Sequence, residues 1–110
     1  RSSVEGTKIS GWQVEVAPPG SHSGGIYESY GRGWLIKPSS IFDDVVVLNQ
    51  WNNMKIHVKN DVVTTWINGK EMVTITDSII GKSVGSIVLQ IHDGGNIKVR
   101  WKDIYLEKID

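Results

Sequence analysis

The stretch NMKIHVKNDVVTTWINGKEMVTIT, residues 53–76, decides the fold class. Polar and apolar residues alternate through three short runs, which are separated by Asn60-Asp61 and by Asn68-Gly69. Such alternation is typical of half-buried β-strands. Asn-Gly between β-branched runs is also a strong hairpin signal, because a type I′ turn needs positive φ at both central residues. The stretch therefore predicts a three-strand antiparallel meander.

The same period of two continues on both sides of the meander. It predicts strands at 12–16, 25–29, 86–92 and 97–109, with a β-bulge near Lys102-Asp103 that would restore one buried face in the last strand. No window of a dozen residues keeps a helical apolar stripe, and 76–85 is predicted to be a polar loop. Residues 1–110 thus form one all-β domain, an antiparallel β-sandwich or jelly roll. Trp51, Trp66 and Trp101 lie in apolar patterns and are predicted to be in its core.

Composition excludes several function classes. Lys plus Arg and Asp plus Glu are both 12, so the chain lacks the basic footprint of a nucleic-acid-binding protein. The longest apolar run, Val45 to Leu48, is far shorter than the about 20 residues that a membrane-spanning helix needs, so no membrane insertion is expected. There is no Cys, which removes disulfides and thiolate nucleophiles. No Gly-x-Ser-x-Gly elbow is present.

A dense group of bulky polar side chains follows the Gly24-Gly25 turn. One interpretation is local packing of the turn, with an ion pair between Glu28 and Arg32. In the other, the aromatic rings stack on the apolar face of a sugar while the charged groups bind its hydroxyl groups. The group consists of Tyr27, Glu28, Tyr30, Arg32 and Trp34.

Four blocks of this sequence resemble a known family. They are GWQVEV, GGIYESYGRGWL, WNNMKIHVKNDVVTTWINGKEM and GSIVLQIHDGGNIKVRWKDIYLEKI, and together they cover nearly all of the chain. In order and spacing they are similar to the C-terminal two thirds of the 3-keto-disaccharide hydrolase domain. The resemblance implies a concanavalin-like jelly roll, found mostly in exported bacterial proteins that act on sugars or oxidised sugars, and hence a periplasmic or extracellular location.

Members of that family carry further strands before the point where this sequence begins. A jelly roll without them would expose sheet edges and part of its core. We therefore expect this chain to be a partial domain that is completed by dimerisation or strand exchange, which makes it a homo-oligomer.

The resemblance also implies a site on the polar face of the sheet, with a saccharide or keto-sugar as ligand. Gln13 and Glu15 alternate with apolar residues in the first predicted strand, and Glu15 is the first choice for a catalytic acid or base. Gln90 and His92 share a strand face in a motif that looks like the cleft edge of the family. His92 is the second catalytic candidate, and with Glu15 it could bind a divalent metal, although a single His with scattered carboxylates is a weak metal signature.

Two function hypotheses remain open from the sequence. In the first, the domain cleaves 3-keto-disaccharides or related glycosides: Glu15 or His92 removes the acidified C2 proton, and Arg32 and Gln90 polarise the keto oxygen. In the second, it is a lectin-like glycan-binding module without chemistry, which uses Tyr27, Tyr30 and Trp34 for stacking. A purely structural self-association module is the third and least favoured alternative.

Overall fold

The computed structural model of the chain describes residues 2–6, 8–90 and 98–109. The described residues form seven strands, a 3-10 turn and one short helix. The strands are β1 (Ser3–Glu5), β2 (Lys8–Val14), β3 (Ile26–Ser29), β4 (Gly33–Ile36), β5 (Met54–Lys59), β6 (Val62–Ile67) and β7 (Lys70–Thr76). The 3-10 turn spans Ser40–Phe42, and helix α1 spans Ser78–Lys82.

The strands form two antiparallel sheets, each in simple sequence order. The first sheet has the order β1-β2-β3-β4 and the second has the order β5-β6-β7. Ile26 and Ile36 are partners across β3 and β4, but Tyr27 is partnered by Trp34, so Leu35 is an extra residue in β4. This irregularity places Trp34 beside Tyr27 on the same face of the first sheet.

The predicted meander is confirmed in all three strands. Asn68 and Gly69 both have positive φ, 50° and 80°, as a type I′ turn requires. The Asn68 side chain also accepts a hydrogen bond from the Asn53 backbone N–H at 2.8 Å and donates to the Val45 carbonyl at 2.8 Å. The second hairpin is therefore anchored to the preceding loop as well as closed by its own turn.

The core lies between the two sheets and under helix α1. Its buried apolar residues are Ile26, Val63, Ile67, Met72, Val73 and Ile80. Thr65 is fully buried beside them, and its hydroxyl donates a 2.7 Å hydrogen bond to the Gly24 carbonyl, which joins β6 to the turn before β3. Because residues of both sheets enclose one core, the all-β prediction is confirmed and the arrangement is consistent with a β-sandwich.

Helix α1 occupies a segment for which the sequence predicted only a polar loop, so that prediction is wrong. Asp77 is its N-cap, and the carboxylate accepts from the Ile80 backbone N–H at 3.0 Å. Ile80 is buried against the core, whereas Ile79 points outward. A five-residue helix is too short to display a helical period, which explains why pattern analysis missed it.

The two C-terminal strands of the prediction are absent from the described part of the chain. Of 86–90, only Ser86 pairs, in an isolated bridge with Ser2, and 98–109 contains no strand, so the proposed bulge near Lys102 has no ladder to interrupt. The first strand also ends earlier than predicted, at Val14. The core prediction also fails for the tryptophans: Trp51 is 56% exposed and Trp101 is 38% exposed, while Trp66 is half-buried.

Among the described residues, none of the helices has the length and apolar character needed to cross a membrane.

Candidate functional site

Strand β3 divides the predicted aromatic and charged group between two faces of the first sheet. Ile26 and Glu28 face the second sheet, because Ile26 belongs to the core and side chains alternate along a strand. Tyr27 and Ser29 therefore point to the opposite side, which we call the outer face. Glu28 is paired with Trp12, and Tyr27 with Gln13. The sequence analysis had treated Tyr27 and Glu28 as members of one group, but the strand places them on opposite faces.

The outer face carries a row of three large side chains across neighbouring strands. Gln13 of β2 is opposite Tyr27 of β3, and Tyr27 is opposite Trp34 of β4. The Tyr27 and Trp34 rings meet edge to face, with centroids 5.3 Å apart. All three residues are half-buried, so an aromatic surface remains open beside a polar amide.

Glu15 is held on the same face by a chain of hydrogen bonds. The Ser29 hydroxyl donates to Gln13 Oε1 at 2.8 Å, and Gln13 Nε2 donates to Glu15 Oε2 at 3.3 Å. The backbone of Glu15 extends the ladder beyond β2, since its N–H donates to the Gly25 carbonyl at 2.9 Å and its carbonyl accepts from the Gly24 N–H at 2.9 Å. The Glu15 carboxylate is thus oriented by the Gln13 amide, which is itself held in place by Ser29.

The Gly24-Gly25 turn brings a histidine to the outer face. A Cβ built on Gly25 would lie 3.0 Å from Trp34 Cζ3 and 3.0 Å from the His22 carbonyl oxygen, so the indole lies directly over this glycine. The His22 ring packs edge-on against Trp34 at 5.4 Å, with a left-handed backbone (φ 72°) at His22. His22 was not singled out from the sequence, where it is an isolated residue in a Ser- and Gly-rich loop.

Lys37 is the second outer-face residue that sequence reasoning missed. Its ammonium lies 5.4 Å from the Trp34 ring centroid, within the range of a cation–π contact. Lys37 directly follows β4. Because β4 was not predicted from the sequence, the pattern gave no reason to place Lys37 on a face of the sheet. The outer face therefore has a cation of its own beside the aromatic rings.

The Arg32 guanidinium forms ion pairs with two carboxylates and does not lie on the outer face. Its guanidinium donates to Glu28 Oε2 at 2.7 Å and to Asp77 Oδ2 at 2.7 Å, so the alternative of a Glu28–Arg32 ion pair is confirmed. Hydrogen bonds from Arg32 hold the pKa of Glu28 and the pKa of Asp77 below their ordinary values, and the two carboxylates raise the pKa of Arg32. The contact with Asp77 spans 45 positions in the sequence.

The remaining predicted site residues do not join the outer face. Tyr30 lies at the tip of the β3–β4 turn, 75% exposed, with the Lys8 ammonium 4.6 Å from its ring centroid. Gln90 is exposed and makes no hydrogen bond or ion pair with another described residue. His92 lies outside the described residues.

The described residues contain no group of three or more His, Asp or Glu side chains close enough to hold a metal ion. Glu15 has amide and hydroxyl neighbours, and its predicted partner His92 is outside this part of the chain. The described donor set does not fit a metal centre, and no step below passes through one.

Comparison with known protein families identifies the family of this chain. The model of the 3-keto-alpha-glucoside-1,2-lyase-like domain family matches residues 2–107. No curated protein matches the chain. The family match includes every strand described above and the whole outer face. This chain therefore belongs to the family of 3-keto-alpha-glucoside-1,2-lyase-like domains, as the resemblance of its sequence blocks implied.

Proposed function

We propose that this domain cleaves the glycosidic bond of 3-keto-glycosides, with the outer face as its active site. The observation that carries the proposal is the hydrogen-bonded series from Ser29 through Gln13 to Glu15, which lies beside the Tyr27 and Trp34 rings. A base oriented by a second group, next to a surface that stacks on a pyranose, is the arrangement needed for proton abstraction from a bound sugar.

The keto group makes this reaction accessible to a single carboxylate. A carbonyl at C3 acidifies the proton on C2, and Glu15 takes that proton. The electron pair of the C2–H bond forms a C1=C2 double bond, and the bond between C1 and the glycosidic oxygen breaks. The leaving oxygen is released as an alcohol after it gains a proton, and addition of water to the double bond then gives the free 3-keto sugar.

Negative charge develops on the 3-keto oxygen as the proton leaves. The sequence analysis assigned this role to Arg32 and Gln90, but the Arg32 guanidinium is occupied by Glu28 and Asp77, and Gln90 does not join the outer face. Lys37 is the better candidate because its ammonium lies against Trp34 on the outer face. In the proposed arrangement the sugar packs against the Tyr27–Trp34 pair. Lys37 and His22, which lie beside the Trp34 ring, contact the oxygen atoms of the sugar.

The test is turnover of a 3-keto-α-glucoside and of its unoxidised parent, followed by NMR of the anomeric proton. We expect the wild-type protein to consume only the keto compound. Glu15→Gln should lower kcat by about a hundredfold or more, the usual contribution of a general base, with a small change in KM. The matched control is Glu71→Gln, which alters an exposed carboxylate on β7.

Full activity of Glu15→Gln would remove Glu15 from the mechanism. Ligand line broadening without product in the wild type would favour the lectin-like module instead, because the same rings can bind a sugar without chemistry.

The family resemblance adds two proposals about context. We propose that the protein works in the periplasm or outside the cell, where oxidised saccharides would be its substrates. We also propose that it acts as a homo-oligomer.

A further inference from the structure

We propose a second ligand site on the opposite side of the first sheet, a cleft that binds one neutral, hydroxylated ring of monosaccharide size. This inference goes beyond the proposed function and does not depend on it: of the Ser29–Gln13–Glu15 series only Ser29 also lines the cleft, and Glu15, Tyr27 and Trp34 do not. We call it the Trp12–Tyr30 cleft, after the two aromatic residues that line it together with Glu28, Ile79 and Ser83.

The cleft has the size and the mixed chemistry of a small sugar site. Its volume is about 240 Å³, which is below the range of about 300–1,000 Å³ typical of pockets for drug-sized ligands and limits the occupant to a small molecule. Two aromatic rings and Ile79 provide apolar surface, and Glu28 and Ser83 add polar groups. Apolar faces combined with hydroxyl-binding groups match a pyranose better than a purely apolar ligand.

The charges at the cleft favour a neutral ligand. The Glu28 carboxylate accepts three hydrogen bonds from the Arg32 guanidinium and a fourth from the Arg32 backbone N–H. Arg32 is in turn bound to Asp77, and Lys8 is placed over the Tyr30 ring. A cation would find Glu28 already paired, and an anion would meet the two carboxylates on one guanidinium.

The turn that presents Tyr30 is fixed before any ligand arrives. Tyr30 has a left-handed backbone (φ 55°), which is unusual for an aromatic residue, and the Glu28–Arg32 bonds close the turn around it. Gly31 packs so closely on the Glu28 side chain that a Cβ there would clash. A rigid aromatic wall loses little entropy when a ligand binds.

Trp12 supplies a hydrogen-bond donor that lacks an acceptor. Its Nε1 atom is buried and has no hydrogen-bond partner among the described residues. Buried N–H groups in folded proteins nearly always have a partner, and in the proposed site a ligand oxygen in the cleft is the acceptor that the described residues do not supply. A sugar hydroxyl in the cleft provides that oxygen after a small rotation of the indole.

The experiment is an NMR titration of ¹⁵N-labelled protein with methyl β-D-glucopyranoside, read on the indole N–H signals of the five tryptophans. Trp12→Phe and Trp34→Phe assign the signals of the cleft and of the outer face. We expect a saturable shift of the Trp12 signal at millimolar sugar. Methyl β-D-glucuronide, which differs by a carboxylate, should bind at least about tenfold more weakly because Glu28 and Asp77 are nearby.

Two variants test whether the sugar binds in the cleft. Tyr30→Ala removes an exposed wall, and Ile79→Phe narrows the opening from an exposed position of α1, so either should weaken binding about tenfold or more. Tyr105→Ala, at another exposed tyrosine, is the matched control and should bind normally. The absence of a saturable Trp12 shift, or wild-type affinity in both cleft variants, overturns the proposal. A shift of Trp34 alone overturns it while leaving the proposed function intact.

Discussion

At the scale of single residues, the position of Glu15 depends on Gln13. Both ends of the Gln13 amide are occupied, one by Ser29 and the other by the Glu15 carboxylate. We predict that Gln13→Leu lowers kcat for a 3-keto-α-glucoside by about tenfold to a hundredfold with little change in KM, because a misplaced base affects proton transfer more than binding.

Ser29→Ala tests the same series from its far end. It removes only the anchor of Gln13, so its effect on kcat should be smaller and in the same direction. Gln50→Leu, at an exposed loop position, is the control for the loss of an amide. If Gln13→Leu raised KM and left kcat unchanged, Gln13 would be a sugar-binding residue and the orienting role would be wrong.

Part of this site could be predicted from the sequence. Residues two apart in a strand share a face, so Gln13 and Glu15 were correctly grouped from alternation alone. The same rule separates Tyr27 from Glu28, but assigning each of them to a face requires knowing that Ile26 faces the core. The Glu28–Arg32 ion pair was one of the predicted alternatives, but the second partner of Arg32 could not be predicted, since Asp77 is 45 positions away and caps a helix whose presence left no periodic signal.

At the scale of elements, Arg32 connects the β3–β4 hairpin to the N-terminus of α1. Glu28 belongs to β3, Asp77 caps the helix, and the guanidinium lies between them. Removing the guanidinium leaves two carboxylates close together and weakens the attachment of the helix. We predict that Arg32→Gln lowers Tm at neutral pH by a few degrees, a modest effect because the pair is partly exposed and screened by solvent.

The pH dependence of that effect follows from the two carboxylates. Arg32 lowers the folded-state pKa of Glu28 and of Asp77, so the stabilisation is present above their ordinary values of about 4 and is lost as pH falls through the lowered values. In thermal unfolding from pH 7 to pH 2, the difference in Tm between wild type and Arg32→Gln should shrink below about pH 4. Arg100→Gln, at an exposed position, is the control. A constant difference across this range would contradict an electrostatic origin.

The secondary structure was predictable where it is local and not where it depends on distant partners. The meander of β5, β6 and β7 is closed by short turns, so its alternation and its Asn-Gly turn were sufficient. Segments 86–90 and 98–109 also alternate, yet they form no ladder in the described part of the chain. A strand pattern states that a segment can pair, but the pairing itself requires an available edge.

At the scale of the whole molecule, the C-terminal part exposes an unusual amount of apolar surface. Large apolar side chains are open to solvent at Val84, Ile87, Leu89, Ile104, Tyr105 and Leu106. Monomeric proteins rarely expose extensive apolar patches. These exposed side chains are the reason to test the proposal that the chain associates with a second copy.

We predict that the protein has at least a dimeric mass by light scattering at micromolar concentration. Leu106→Lys places a charge in the exposed apolar segment and should shift the mass towards that of the monomer, because burying an unpaired ammonium in an interface is unfavourable. Val4→Lys, an equally simple change at an exposed position of β1, is the comparison. A monomeric mass at all concentrations, together with one sharp unfolding transition, would contradict the proposed association. The exposed apolar side chains would then have to be compatible with a stable monomer.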